Sequence, residues 1–309
     1  MRVLVVCSGN KGEASPFVRE QCEQLERAGC DVRLFLVRGK GWRGYLSNRS
    51  ALLEAIQEFQ PEIVHAHSGM SALLAGLQRK VPVVATFHGS DVNVPKLRIF
   101  TRVAMLLTRA HIVVSNEMKR ILKRSELHVI PCAVDTVVFC PADRTQSRQN
   151  LGWSSQDKYV LFSSSFSNKV KNAPLAHAAV AALHDSNVHL IELSNKTRTE
   201  VAAMLNACDV ALMTSFSEGS PQFIKEAMAC GTPVVSTRVG DVAEVSANVS
   251  GHFLTDFDAA KLANALQEAI DFRAIHHITS GPAVIDSRGL FPAAVASKLV
   301  SLYQSVLKR

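Results

Sequence analysis

Two glutamates that lie eight positions apart, Glu218 and Glu226, are the residues of this chain whose surroundings most clearly allow chemistry. Glu218 follows the apolar run 209–214, which predicts a strand, and precedes a predicted helix that ends at Gly231. Open α/β sheets bind ligands beyond the carboxyl ends of their strands, and the free N–H groups at a helix start favour an anion. Glu218 is therefore predicted to lie in a ligand-binding loop.

The helix after this loop is predicted to begin with Ser220 as its N-cap and Pro221 as its first helical residue. Its apolar residues recur at three- and four-residue spacing and should face the sheet, so Glu226 is expected to point away from the core. Taken alone, both glutamates are also compatible with solvated surface carboxylates that have no specific role.

The whole string from Ser215 to Thr237 narrows these alternatives. It contains Ser-x-x-Glu-Gly-x-Pro around Glu218 and Glu-Ala-Met-Ala-Cys-Gly-x-Pro-Val-Val-x-Thr from Glu226. This string resembles the Glu-x7-Glu signature of retaining glycosyltransferases of family 4, which have the GT-B fold. The resemblance implies an α/β protein with two doubly wound, Rossmann-like domains of parallel strands that face a cleft.

Length and periodicity also favour two domains. The chain has 309 residues, 47% of them hydrophobic, and alternates apolar strands with helical stretches. We predict an N-terminal Rossmann-like, acceptor-side domain over residues 1–140, a linker over 141–153 and a C-terminal nucleotide-sugar domain over 154–291. By the resemblance, the helix over 292–309 should pack back toward the N-terminal domain.

The net charge of +7 is uneven, because residues 1–140 hold 19 Lys and Arg against 12 Asp and Glu, whereas the remainder holds 15 of each. A basic half indicates an anionic acceptor or peripheral contact with an acidic membrane surface. The alternative explanation is a solvated basic surface that has no specific partner. Basic side chains gather in the predicted helices 96–109 and 116–124. No membrane-spanning segment, secretory signal or nucleic-acid partner is predicted, so we expect a cytoplasmic protein, at most peripheral at the inner membrane face.

Candidate residues of the first half follow predicted strands. The loop 8–15 contains Gly9 and Gly12, which let the backbone approach a phosphate, but it lacks Gly-x-Gly-x-x-Gly, and the second strand ends in Val37 and Arg38 without an acidic residue. A nicotinamide cofactor is therefore disfavoured. After the fourth strand come His88, Ser90 and Asp91.

The resemblance assigns roles to these residues. It implies that His88 reaches the transferred sugar and the donor phosphates, that Gly12 contributes on the donor side, and that Gly9, Ser90 and Asp91 lie toward the acceptor. His65 and His67 are interpreted as packing or supporting residues.

The loop after the first strand of the second domain contains Lys169, Lys171 and Asn172. Family members usually have Gly-Arg here and a lysine five or six residues later, and the two cations clamp the diphosphate. Lys171 matches the lysine, but Ser165 and Phe166 stand where the arginine is expected, and Lys169 is the nearby cation that would replace it. An exposed lysine pair without a ligand is the alternative.

By the same resemblance, Glu218 binds hydroxyls of the transferred sugar, and the N–H groups of the segment from Gly219 through Pro221 to Gln222 face sugar and phosphate. Glu226 accepts hydrogen bonds from the ribose, and Asn195 lies near the base. No Asp-x-Asp motif lies near a plausible site to chelate a divalent metal. The catalytic set is therefore predicted to be Glu218, His88 and Lys171, with no metal and no cofactor beyond the nucleotide-sugar substrate.

These features predict a retaining glycosyltransferase of hexosyltransferase type. It would move a sugar from a nucleotide-diphosphate sugar to a glycan or lipid-linked acceptor without a metal ion. Two alternatives stay open. One is a non-catalytic partner that binds a nucleotide sugar, and the other is a nucleotide-sugar epimerase or hydrolase with the same fold.

Overall fold

The computed structural model describes residues 1–10 and 12–308 and divides into two compact units. The first unit comprises Met1–Ala133 and the segment from Pro292 onward, and the second comprises Val134–Phe291.

The first unit contains a six-stranded sheet in which every pairing is parallel. Its strands are β1 (Arg2–Ser8), β2 (Asp31–Val37), β3 (Ile63–His67), β4 (Val83–Phe87), β5 (Ala110–Val113) and β6 (His128–Val129). The order is β2-β1-β3-β4-β5-β6, so the direction of winding reverses between β1 and β3. Central strands β3 and β4 are buried along their whole length, as expected for a parallel sheet covered on both faces.

Helices connect these strands and cover the sheet. They are α1 (Pro16–Arg27), α2 (Gly41–Leu46), α3 (Arg49–Phe59), α4 (Gly69–Gly76), α5 (Gly89–Asn93), α6 (Pro95–Leu107) and α7 (Asn116–Leu122).

The second unit contains a five-stranded parallel sheet in the order β11-β10-β9-β7-β8. Its elements are α8 (Arg144–Leu151), β7 (Lys158–Phe162), α9 (Ala173–Ala181), β8 (Val188–Glu192), α10 (Arg198–Ala207), β9 (Val210–Met213), α11 (Gln222–Cys230), β10 (Val234–Thr237), α12 (Val242–Val245), β11 (His252–Thr255), α13 (Ala259–His276) and α14 (Gly281–Ser287). The winding direction reverses between β7 and β9, and such a switch point opens a crevice beyond the strand ends. The two parallel sheets confirm the predicted fold class.

The final helix, α15 (Pro292–Leu307), belongs to the first unit, where it buries Val295, Leu299 and Tyr303 against the sheet core. The stretch Gly281–Leu307 is long and apolar enough to cross a membrane by length and composition, with a mean hydropathy of 1.3. In the fold it consists of two helices, α14 and α15, which belong to different units. Packing within each unit accounts for their buried apolar side chains.

The predicted linker 141–153 is not a linker in the structure. It contains α8, which packs on α10 within the second unit, and the change of unit comes earlier, after Ala133. The eight residues of α8 contain a single apolar residue, Leu151, so no apolar stripe marks this helix in the sequence.

Candidate active site

The loops that follow β7 and β9 meet at the switch point of the second sheet. Phe216 N–H donates to the carbonyl of Val170 at 2.9 Å. The Thr214 hydroxyl donates to the carbonyls of Lys171 and Asn172, at 2.9 Å each. These bonds join the two loops, so the side chains that the loops carry have defined relative positions.

Glu218 and Lys171 form an ion pair at this junction. Lys171 Nζ lies 2.6 Å from Glu218 Oε1, and the side chains are 20% and 15% exposed. Lys171 ends a short 3-10 turn, Lys169–Lys171, that Asn168 caps. Because both groups are mostly shielded yet reach the surface, the pair offers an incoming ligand one carboxylate and one ammonium side by side.

The backbone of the Glu218 loop is supported from behind by Gly240. Gly240 has φ +57°, and a Cβ at this position would lie 2.9 Å from the carbonyl oxygen of Gly219 and 3.0 Å from that of Glu218. The close approach requires a residue without a side chain here. Gly240 thus helps to fix where Glu218 stands.

The helical pattern predicted that Glu226 points away from the core into solvent, but the structure shows its side chain buried. Its side chain is 5% exposed, and Oε1 accepts from Arg198 Nη1 at 2.6 Å. The Arg198 guanidinium also lies 4.5 Å from the Phe139 ring centroid. Burying a carboxylate requires a partner, and Arg198, the first residue of α10, supplies it.

A second buried charge lies in the same helix. Lys225 has no exposed surface, and Asp241 is 5% exposed. Burial raises the pKa of Asp241 to about 6, while the nearby Ser220 hydroxyl and the charge of Lys225 act in the opposite direction. Sequence reasoning missed Arg198 and Asp241, because only the tertiary fold brings them beside the Glu-x7-Glu string. It missed the role of Lys225 because the sequence does not show that this lysine is buried.

The other donor-side residues are distributed around this junction. Lys169 is exposed in the 3-10 turn, and Asn172 has φ +56° at the start of α9. Helix α11 begins at Gln222 with Pro221 as its N-cap, one position later than predicted, so Gly219 and Ser220 belong to the loop. Asn195 is exposed in the loop after β8, with φ +53°.

Histidines form the corresponding cluster in the first unit, at the ends of β3 and β4. His67 Nδ1 lies 3.1 Å from His88 Nε2, and the two rings stack at 5.4 Å. His65 lies 2.5 Å from the hydroxyl of Tyr303 and 2.7 Å from that of Thr86. Burial lowers the pKa of His65 to about 3, helped by the charge of His88, and burial also lowers the pKa of His67. The supporting histidines are therefore neutral at pH 7.

Asp91 shapes the loop that carries His88. It is 7% exposed, and its two oxygens accept the N–H groups of Gly69 at 3.0 Å and His88 at 2.9 Å. Burial raises its pKa to about 6, against the effect of these two bonds. Its contact with an acceptor stays a prediction, as does that of Ser90, which is exposed.

The glycine loop after β1 lies at the switch point of the first sheet. Gly9 is buried, and a Cβ there would lie 2.8 Å from Leu36 Cβ. Gly12 is exposed with φ +95°, a conformation that favours glycine. Among the described residues no group of three or more His, Cys, Asp or Glu side chains is arranged to hold a metal ion.

Two family models match the chain. The model described as "Glycosyltransferase Family 4" covers residues 2–138, and "Glycosyl transferases group 1" covers residues 168–271. A curated relative, N-acetyl-alpha-D-glucosaminyl L-malate synthase of Bacillus anthracis, is 23% identical in an alignment 300 positions long that covers 84% of this chain and 78% of that protein.

Solved structures share the fold at low sequence identity. Sucrose-phosphate synthase of Thermosynechococcus elongatus superposes with a TM-score of 0.87 at 16% identity, covering 100% of this chain and 99% of that one. Anabaena Alr3699/HepE, in complex with UDP, superposes with a TM-score of 0.76 at 17% identity, covering 99% and 100% of the two chains. At these identities the likeness establishes the architecture, whereas the roles of individual residues depend on the geometry described above.

Proposed function

Because the chain belongs to the family 4 glycosyltransferases, which have the GT-B fold, we propose that it transfers a sugar from a nucleotide-diphosphate sugar to a glycan or lipid-linked acceptor. The anomeric configuration would be retained and no metal ion would be needed. The protein would be a hexosyltransferase type of enzyme that acts in the cytoplasm.

One observation carries this proposal, the contact between Lys171 and Glu218 at the switch point beside the start of α11. Departure of a nucleoside diphosphate leaves negative charge on phosphate oxygens, which a preorganised cation stabilises by about 3 kcal/mol. Lys171 supplies that cation, with Lys169 nearby. Glu218 accepts hydrogen bonds from hydroxyls of the sugar that remains.

The nucleotide would be held by the residues around this pair. N–H groups from Gly219 onward face the phosphates, and Glu226 accepts from the vicinal ribose hydroxyls, because a carboxylate can accept both. Burial and the Arg198 contact already fix the Glu226 side chain in one position. The UDP bound to the Anabaena protein supports a nucleotide-sugar donor for this fold.

We further propose that His88 contacts the transferred sugar. Its ring is placed by the His67 ring at 3.1 Å and by the loop that Asp91 stabilises. Since burial keeps His67 neutral, its ring can orient His88 without adding a charge of its own.

Product analysis with labelled nucleotide sugars tests the proposal. Wild-type protein is expected to move label onto a glycan or lipid-linked acceptor and to release a nucleoside diphosphate. Glu218→Gln should reduce transfer at least about 100-fold, corresponding to roughly 3 kcal/mol. The exposed substitution Glu268→Gln, which makes the same chemical change on α13, should leave the rate unchanged.

Other products would favour the alternatives. Free sugar without acceptor transfer would indicate a hydrolase, and a nucleotide sugar in which one stereocentre of the sugar has been inverted would indicate an epimerase. Nucleotide-sugar binding without turnover in any acceptor mixture would indicate the non-catalytic partner.

Peripheral contact with an acidic membrane is the second part of the proposal, and α6 provides a specific observation for it. Ile99, Val103 and Leu106 lie on one face of α6 and are 62%, 43% and 75% exposed. The exposed basic residues Lys96 and Arg102 lie three positions before and after Ile99. An apolar stripe flanked by basic residues is typical of helices that lie at a membrane interface.

Vesicle co-sedimentation tests this contact. Wild-type protein should bind vesicles that contain phosphatidylglycerol and release them at high salt, and Ile99→Ser with Leu106→Ser should weaken binding. Ile275→Ser, at a 70% exposed position of the second unit, is the matched control. Equal binding by both variants would exclude α6 as the membrane contact.

A further inference from the structure

A cavity of about 670 Å³ lies in the second unit, away from the proposed donor site. It is lined by residues of α8, the end of α13 and the segment before β7, including Arg144, Arg148 and Arg273. Asp209, which pairs with two of these arginines, directly precedes β9, whereas Glu218 follows the opposite end of that strand. The cavity thus lies at the amino-terminal end of the strands, and Glu218 lies beyond their carboxyl-terminal end.

Positive charge dominates this cavity. Asp209 is 3% exposed and pairs with both Arg144 and Arg148, with Arg148 Nη2 at 2.6 Å. Asp143, also in the lining, is exposed and caps α8 by accepting the Gln146 N–H at 2.6 Å. The lining and its ion pairs therefore contain three guanidinium groups and two carboxylates. Both carboxylates already accept hydrogen bonds, Asp209 from the arginines and Asp143 from the backbone.

The arginines repel one another at this site. Burial lowers the pKa of Arg144, and the charge of Arg148 lowers it further, although Asp209 opposes both effects. Burial likewise lowers the pKa of Arg273, and Arg144 and Arg148 add to that shift. An additional anion would relieve this repulsion.

Unused hydrogen-bond donors give the second indication. Arg273 is 2% exposed and donates to the carbonyls of Gly231 and Asn206, at 3.0 and 3.1 Å, yet its Nε has no partner among the described residues. The buried Nε of Arg144 has none either. A buried N–H group without an acceptor costs about 1–3 kcal/mol. Such donors beside excess positive charge are what an oxyanion would satisfy.

The remaining lining defines the size and character of a ligand. The volume falls in the range of about 300–1,000 Å³ that is typical of small-molecule sites. Trp153, whose ring stacks on Tyr159 at 4.3 Å, and Ile278 add apolar surface to the lining. Gln149 and His277 add polar groups at its rim.

We propose that this cavity binds a small phosphate-bearing molecule, independently of the donor site at the opposite end of the strands. Arg144, which is 31% exposed, would contact the phosphate directly. Arg273 would offer its unpartnered Nε, and Arg148, which backbone carbonyls hold in place, would supply fixed positive charge behind the phosphate. The apolar side chains of the lining would accept the organic part of a phosphate monoester.

Isothermal titration with inorganic phosphate and with glucose 6-phosphate tests the proposal. Wild-type protein should bind both, and tighter binding of glucose 6-phosphate would identify an organic phosphate as the better ligand. Gln149→Glu places a negative charge at the rim, on an exposed position of α8 that is compatible with the fold, and should weaken phosphate binding at least tenfold.

Two control variants make the result decisive. Gln57→Glu, at an exposed position of α3, changes the net charge equally and should bind phosphate as the wild type does. Lys171→Gln, in the proposed donor site, should also retain this binding, so a failed donor site and a failed cavity are distinguishable. Absence of phosphate binding, or binding that Gln149→Glu leaves unchanged, would overturn the proposal.

Discussion

The two units share a doubly wound parallel sheet with candidate residues after neighbouring strands, but they build their sites from different chemistry. The second unit places its carboxylates beside cations, Glu218 with Lys171 and Glu226 with Arg198, both at 2.6 Å. The first unit places buried histidines beside His88, with their pKa lowered by burial. One sheet topology thus supports a charged site and a largely neutral one.

This difference follows from what each site is proposed to do. A group that stabilises a departing diphosphate must carry charge and remain accessible, so the Lys171 and Glu218 side chains are 20% and 15% exposed. A histidine that only orients its neighbour works best when burial fixes it and keeps it neutral. Perturbing each kind of group should therefore have different consequences.

The largest expected effect is the loss of the cation at the charged site. Lys171→Gln should lower kcat/KM for the nucleotide sugar at least about 100-fold, since one preorganised charge contributes roughly 3 kcal/mol. Steady-state kinetics with Lys169→Gln as the neighbouring control measures this, and we expect a change of less than about threefold there because Lys169 is exposed. Equal losses in both variants would instead show that Lys169 replaces the missing arginine.

A smaller effect is expected at the second carboxylate. Glu226→Gln should raise the dissociation constant for UDP about tenfold, roughly 1.4 kcal/mol, with little change in kcat, because the hydrogen bonds to ribose persist through the reaction. Titration calorimetry measures the constant, and the melting temperature monitors the loss of the Arg198 ion pair. If the folded variant bound UDP with unchanged affinity, Glu226 would not be a ligand of the ribose.

Long periodic elements could be predicted from the sequence. Strand β1 (Arg2–Ser8) can be recognised from its continuous apolar run, and helix α10 (Arg198–Ala207) from the Thr197 capping box at its start. Helix α8 could not be predicted, since it is almost entirely polar and forms by packing on α10. Edge strand β11 is short and half-buried, and its residues show no comparable pattern.

The site was predictable only in part. Strand ends and the signature string identified Glu218 and Lys171, but their contact depends on the adjacency of β7 and β9, which is a property of the sheet order. The burial of Glu226 depends on Arg198, whose helix packs on α11. Such pairings arise from tertiary contacts between elements that are distant in the chain.

Acidification should destabilise the first unit more than the second. A histidine whose folded pKa lies below its unfolded value contributes full stability above pH 6.5 and loses it as pH falls, by up to roughly 1.4 kcal/mol per pH unit. Such histidines include His65, His67 and His111 in the first unit and His252 in the second. The first unit should therefore lose more stability between pH 6.5 and about 5.

The buried aspartates do not reverse this order. Asp91 and Asp241 each have a pKa raised to about 6, so each returns stability as pH falls below 6, and each unit contains one. Hydrogen exchange of β3 and β4 compared with β9 and β10, at pH 7 and at pH 5, measures the difference. Equal loss of protection in both units would contradict the neutral-histidine account.

The smallest effect tests how the charged site is positioned. Gly240→Ala and Gly152→Ala both place a side chain at positive φ, +57° and +68°, and each should cost about 1–2 kcal/mol of stability. At Gly240 the new Cβ would lie 2.9 Å from the Gly219 carbonyl oxygen, whereas at Gly152 nothing lies within 4 Å. Only Gly240→Ala should displace Glu218 and lower kcat, about tenfold, because a misplaced catalytic group costs rate more than stability. Parallel measurements of melting temperature and kcat on both variants separate strain from positioning, and equal kcat values would show that Gly240 does not position Glu218.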